Sequence, residues 1–168
     1  NDAGFKDKVM RKNVYAEGEN LKTQLNAQAW AALLEYCKQR DLDVNVFLNM
    51  PVGIVVTTIA MLELQVLGLD QQGVDAYMMD KALADKKSLS GLETADQQIA
   101  FLMAMGQGQE SHFLLQNLNE IKTLAVDSEI LRKAWRQGDM TSINKLVPIQ
   151  KWEYFYSLLN FYLLSHSR

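Results

Sequence analysis

Pro51-Val52-Gly53-Ile54-Val55-Val56-Thr57-Thr58-Ile59-Ala60-Met61-Leu62-Glu63-Leu64-Gln65-Val66-Leu67-Gly68 is the stretch on which the fold class turns. From Ile54 to Ile59 every residue is β-branched, a composition that suits a strand. A short apolar run does not by itself separate a buried strand from a buried helix. Length separates them here, because the apolar pattern continues through Leu62 and Val66. The ends agree: Pro51 suits the first position of a helix and Gly68 suits a C-cap. The stretch reads as a helix over Val52 to Leu67, apolar on nearly every face, and so as the central, most buried element. Glu63 then has two readings, a buried acid with a raised pKa or a member of one polar stripe, and the stripe is preferred. Met50 to Leu69 is also the one segment long enough to consider as a membrane span. Its Pro51, Thr57, Thr58, Glu63 and Gln65 make a bilayer interior costly, so no span is expected.

Outward from this helix the composition is equally helical. The chain has 168 residues, of which 48% are hydrophobic and 22% charged, with only two prolines and nine glycines. Leu, Ala, Met, Gln, Glu and Lys dominate, and all are good helix formers. The expected architecture is all-α or nearly so: one compact multi-helix domain over residues 1–168, with at most one short β segment near 88–92. Asn26 is placed to cap a helix over Ala27 to Arg40, in which Trp30, Leu33, Leu34 and Cys37 recur at helical spacing. Leu21 to Leu25 and Val44 to Leu48 read as single turns. Val74 to Lys86 reads as a helix with Ala76, Tyr77, Met79, Ala82 and Leu83 making apolar contacts. Thr94 to Met105 follows, Thr94 and Gln97 forming a capping box, and Gly106-Gln107-Gly108 ends it. Further helices are expected at Phe5 to Lys12, Glu110 to Leu124, Ser128 to Arg136, Thr141 to Leu146 and Ile149 to Leu164.

Charge and residue counts exclude several function classes. A net charge of −3 gives no attraction for nucleic acid or acidic lipid. Lys6, Lys8, Arg11 and Lys12 form the one dense basic group and read as a solvated helix face. Cys37 is the single cysteine, so no internal disulfide forms, and its place on an amphipathic helix suits a small buried hydrophobe. His112 and His166 are the two histidines. Neither has a partner at metal-ligand spacing, and both read as surface residues. No phosphate-cradling glycine loop or nucleophile elbow is present. Asn1 in place of a start methionine points to a trimmed or processed chain.

Among the carboxylates, Glu93 has the strongest claim to function. In Gly91-Leu92-Glu93-Thr94 it stands between an extended segment and a helix, where a charge is held rigidly over a cleft. Stabilisation of a helix N-terminus explains it about as well, and the same ambiguity attaches to Asp75, Asp96 and Gln98. Trp135, Arg136, Gly138 and Asp139 read as structural, the tryptophan anchoring one helix onto another. Trp152, Tyr154, Phe155, Tyr156, Phe161 and Tyr162 read as core, with a partner surface as the alternative.

Several of these residues stand in an order that resembles the TraB/GumN family, which includes pheromone-shutdown TraB, GumN and Tiki-like proteins. The pieces are Asn20-Leu21 with Trp30 and Leu33, then Leu69-Asp70, Gly73-Val74-Asp75 and Tyr77. Gly91-Leu92-Glu93-Thr94 with Gln98 follows, and Trp135-Arg136 with Gly138-Asp139 comes last. The resemblance implies a β-containing catalytic core split around a helical section, and in Tiki-like relatives metal-dependent proteolysis through two Gly-X-X-His motifs. Neither His112 nor His166 has a glycine three residues before it, so those catalytic histidines have no counterpart here. No catalytic and no metal-binding residue is assigned. Glu93, Asp75 and Gln98 carry over as cleft-lining candidates.

The expected function is therefore a helical cap or substrate-access domain of a TraB/GumN-like metal-dependent hydrolase, inactive alone. The intact protein would be the metal-dependent protease and would hold the divalent metal. A different class is a self-sufficient helical binding module for a peptide or lipid-like ligand, and a third is a hydrolase completed by another chain. Expected partners are the remainder of the polypeptide or a second copy, with a peptide as substrate. The resemblance also implies an extracytoplasmic location in a bacterium.

Overall fold

A computed structural model describes residues 15, 17–69, 73–90 and 94–146 of the chain. Among these residues it is all-α, with no strand. In order come α1 (Leu21–Gln24), α2 (Ala27–Gln39), a 3₁₀ turn (Val44–Phe47), α3 (Val52–Val66), α4 (Val74–Ala84), α5 (Ala95–Ala104), α6 (Glu110–Ile121), α7 (Leu124–Gln137) and α8 (Met140–Leu146). The chain divides into two compact units, one through Leu115 and one from Gln116. The expected helices at 5–12 and 149–164, the aromatic group at 152–162, His166 and Gly91-Leu92-Glu93 lie outside the described residues.

In the first unit, local hydrogen bonds set the helix starts. Asn20 and Thr23 form a reciprocal capping box on α1, and Leu21 N–H reaches Leu48 C=O at 2.8 Å. Asn26 Oδ1 accepts from Ala29 N–H at 2.8 Å to start α2. The buried face of α2 is Ala29, Leu33, Tyr36 and Cys37. Tyr36 thus takes the place that helical spacing suggested for Leu34, which is exposed. Trp30 sits at the rim with the Lys22 ammonium 5.5 Å from its ring centroid. Cys37 is a free, buried thiol; burial, then Asp43, pushes its pKa up.

α3 is helical in spite of its β-branched run because its N-terminal half is enclosed. Val52, Gly53, Ile54, Val55, Val56 and Ile59 are all buried. Thr57 and Thr58 give their hydroxyl hydrogens to the Gly53 and Ile54 carbonyls, each at 2.8 Å, so neither leaves an unpaired group in the packing. Pro51 is the N-cap, one residue before the expected position. Gly68 follows the Leu67 C-cap at φ +67°. Leu69 N–H bonds to Leu64 C=O and Gly68 N–H to Gln65 C=O, the pair of bonds that defines a Schellman ending. The second half of α3 departs from the expected burial: Met61 and Val66 are exposed.

α3 packs on α5, and Gly53 sets how closely. A methyl there would run into the Leu102 carbonyl oxygen and lie 2.8 Å from Met105 Cβ. α5 opens on the expected Thr94–Gln97 capping box, with Gln97 Oε1 2.8 Å from Thr94 N. Asn26 N–H donates to Ser111 Oγ at 2.8 Å, joining the start of α2 to the start of α6. Leu21, Leu33, Phe47, Val55, Ile59, Ile99 and Leu114 are the large side chains fully enclosed in this unit. Each contributes about 1.5–3 kcal/mol through burial.

α4 differs from its neighbours in having no buried residue. Of the residues expected to make apolar contacts, Ala76, Tyr77, Met79 and Leu83 are exposed and Ala82 is half-buried. Leu83 is 60% exposed. The helix nevertheless ends tightly, with Lys87 N–H on Ala82 C=O and Lys86 at φ +55°.

The second unit pairs α7 with α8. α7 begins at Leu124, earlier than the Ser128 start expected, because Lys122 and Thr123 close α6 in a turn. Gly138, at φ +68°, caps the C-terminus of α7. Asp139 then starts α8: its Oδ1 accepts from Thr141 and Ser142 N–H, each at 3.1 Å, and its Oδ2 from the Ser142 hydroxyl at 2.6 Å. The Ser142 hydroxyl and then these amides hold its carboxyl below the usual carboxylate pKa.

Candidate functional site

The first unit has a cleft of about 420 Å³, within the size range of small-ligand sites. Pro51 and Val52, at the start of α3, form one buried wall. Ala100, Met103, Ala104 and Met105, from the end of α5, form another, and Gln107 and Glu110 come from the turn into α6. Tyr15, Glu19 and Gln24, before and on α1, complete the described lining. The cleft exists because α5 stops short. Gly106, at φ +74°, turns the chain where a side chain would meet Phe113 and Val52, and Gly108, at φ +80°, turns it again. Glu110 Oε1 accepts from Gly108 N–H at 2.8 Å and fastens that turn.

Tyr15 spans the cleft margin, its hydroxyl donating to Met50 C=O at 2.9 Å. Burial, and then the Glu110 carboxylate, push the hydroxyl pKa up to about 12, so it remains a proton donor at neutral pH. Among the described residues, Glu19 is held by a 3.4 Å bond from the Gln24 amide. No lysine or arginine is among the described lining residues. The described lining combines apolar side chains with two carboxylates, Glu19 and Glu110.

A second polar cluster ties α2 to α3. Glu63 is 5% exposed, buried rather than on a polar stripe. Arg40 grips it with both arms, Nε to Oε1 and Nη2 to Oε2, each at 2.7 Å. Tyr36 Oη donates to Oε1 at 2.9 Å. The Arg40 guanidinium outweighs burial and lowers the Glu63 pKa, the reverse of the raised value that a lone buried acid would have. Arg40 is raised in turn by Glu63, and burial followed by the Glu63 hydrogen bond raises Tyr36. The cluster is internally satisfied and holds the two helices in register.

The residues singled out in the sequence are dispersed. Asp75 is exposed in the first turn of α4 and Gln98 is exposed on α5; neither lines the cleft. Glu93 lies outside the described residues. Trp135 is 75% exposed, so the anchoring expected of it is not made among the described residues, and Arg136 is exposed beside it. Gly138 and Asp139 serve as the caps described above. His112 is exposed in a shallow depression with Asn26 and Ser111. Tyr15 and Glu110 were not singled out. The available signal was an acid two residues after a Gly-X-Gly turn that closes a Met-rich helix end.

Among the described residues no group of three His, Cys, Asp or Glu side chains is placed to hold a metal ion. No described helix is long and apolar enough to cross a membrane. No curated protein and no solved structure matches the chain. A family model does match, over residues 1–160, nearly the whole length, and by that match the chain belongs to the TraB/PrgY/gumN family.

Proposed function

We propose that this chain is the substrate-access section of a TraB/PrgY/gumN protein and seats a peptide in the Tyr15–Glu110 cleft. The cleft is the observation that carries the reading. Its apolar walls suit side chains, and its Tyr15, Gln24 and Gln107 groups suit the polar backbone of an extended peptide. The chemistry would belong to the rest of the polypeptide, which would also supply any divalent metal. In that setting Glu93 is the residue of this chain nearest the reaction, with Asp75 and Gln98 orienting groups at most. The all-round apolar character of α4, with no buried residue, supports its use as a contact for the remainder of the polypeptide. A lipid-like ligand fits less well, because Glu19 and Glu110 are among the cleft's lining residues.

Thermal shift tests the reading. Short blocked peptides from a mixed-sequence panel should raise the melting temperature of the 168-residue chain. Met103→Trp, which fills the cleft from its wall, should remove that shift while the free protein still melts cooperatively. A flat response across the panel, or a shift that survives Met103→Trp, overturns it.

A further inference from the structure

The described lining of the cleft carries charge as well as shape. Its apolar surface comes from Pro51, Val52, Met103 and Met105, and its two charged groups, Glu19 and Glu110, are both carboxylates. No cation among the described lining residues neutralises them. Glu110 uses Oε1 to hold the Gly108 turn and is half-buried. Glu19 is exposed and, among the described residues, holds the long Gln24 bond. Carboxylates in this state form short, charge-assisted bonds with guanidinium or ammonium groups and repel anions. The unbranched methionine side chains adapt to varied apolar partners, so shape discriminates little between neighbouring residues and charge discriminates more.

We infer that the cleft selects peptides carrying an arginine or lysine side chain. The cationic head lies between Glu19 and Glu110, and the adjoining apolar residue packs on Met103 and Met105. The inference rests on the peptide-binding reading above and narrows it to a substrate class. Arginine is the better fit of the two, since its planar fork of donors can engage a carboxylate through two parallel bonds.

Calorimetric titration of the 168-residue chain with three blocked pentapeptides tests this. The first is Gly-Leu-Arg-Leu-Gly; the others carry citrulline or glutamate in place of arginine. Citrulline keeps the shape of arginine and removes its charge. The arginine peptide should bind about tenfold tighter than the citrulline peptide, a difference typical of one charge-assisted hydrogen bond, and the glutamate peptide should be weakest. Raising the salt concentration should shrink the preference, and Glu19→Gln/Glu110→Gln should abolish it. Glu110 also fastens a turn, so Glu19→Gln alone, at an exposed position, provides the variant that leaves the fold untouched and should reduce the preference in part. Equal binding of the arginine and citrulline peptides overturns the charge selection while leaving peptide binding in place. A preference that survives the double variant also overturns it. No binding by any of the three peptides, with a flat thermal-shift panel, removes both readings.

Discussion

Glu63 shows how one partner reverses the electrostatics of a buried acid. Buried without a partner, its carboxyl would favour the neutral form. With Arg40 on both oxygens and Tyr36 on one, the carboxylate is favoured and its pKa falls below 4.5. A depressed acid contributes stability in full above the unfolded pKa, and that contribution is lost as pH falls through the folded value. Arg40 is partly solvent-exposed, 37% at the side chain, so the pair is worth less than a fully enclosed one. Glu63→Gln should cost about 2 kcal/mol at pH 7. Thermal melts should show the gap between wild type and Glu63→Gln narrowing as pH drops below about 4.5. A gap of the same size at pH 3 would contradict this account of the ion pair. The pairing was not legible in the sequence, because Arg40 and Glu63 are 23 residues apart and meet only once α2 and α3 pack.

At the scale of elements, much of the fold was legible because local chemistry and burial agreed. Asn26, the Thr94–Gln97 box and Gly138 set helix ends through bonds made within a few residues, and such bonds can be read from sequence. Burial depends on distant residues and was less legible. α3 was read as the most buried element and has seven buried residues, yet Met61 and Val66 face solvent. α4 is the extreme case: apolar residues occur on every side of it and none is buried. A helix of this kind requires covering, and a second copy of the chain can supply it. Light scattering of the 168-residue chain should therefore show concentration-dependent association. Met78→Glu/Leu83→Glu, at positions each 60% exposed, should suppress it while changing stability by no more than about 0.5 kcal/mol. Unchanged association in the variant would place the sticky surface elsewhere.

For the whole molecule, the division at Leu115 falls inside α6, where no proline-, glycine- or serine-rich linker exists to mark it. The candidate cleft was equally hidden, since its walls come from segments between Tyr15 and Glu110 that only tertiary packing brings together. Sequence motifs pointed instead to Glu93. The two proposals assign different roles and therefore different kinetic signatures in the intact protein. A residue that only admits and holds substrate stabilises ground state and transition state alike, so its loss raises KM and leaves kcat near its starting value. A carboxylate beside the reacting bond acts mainly in the transition state, so its loss lowers kcat and kcat/KM together. Met103→Trp in the full-length protein should therefore raise KM for a peptide substrate with little change in kcat. Glu93→Gln should lower kcat with KM nearly constant. Measuring both constants for both variants separates access from chemistry. A fall in kcat for Met103→Trp would move the cleft into the reaction centre, and an unchanged kcat for Glu93→Gln would remove that residue from it.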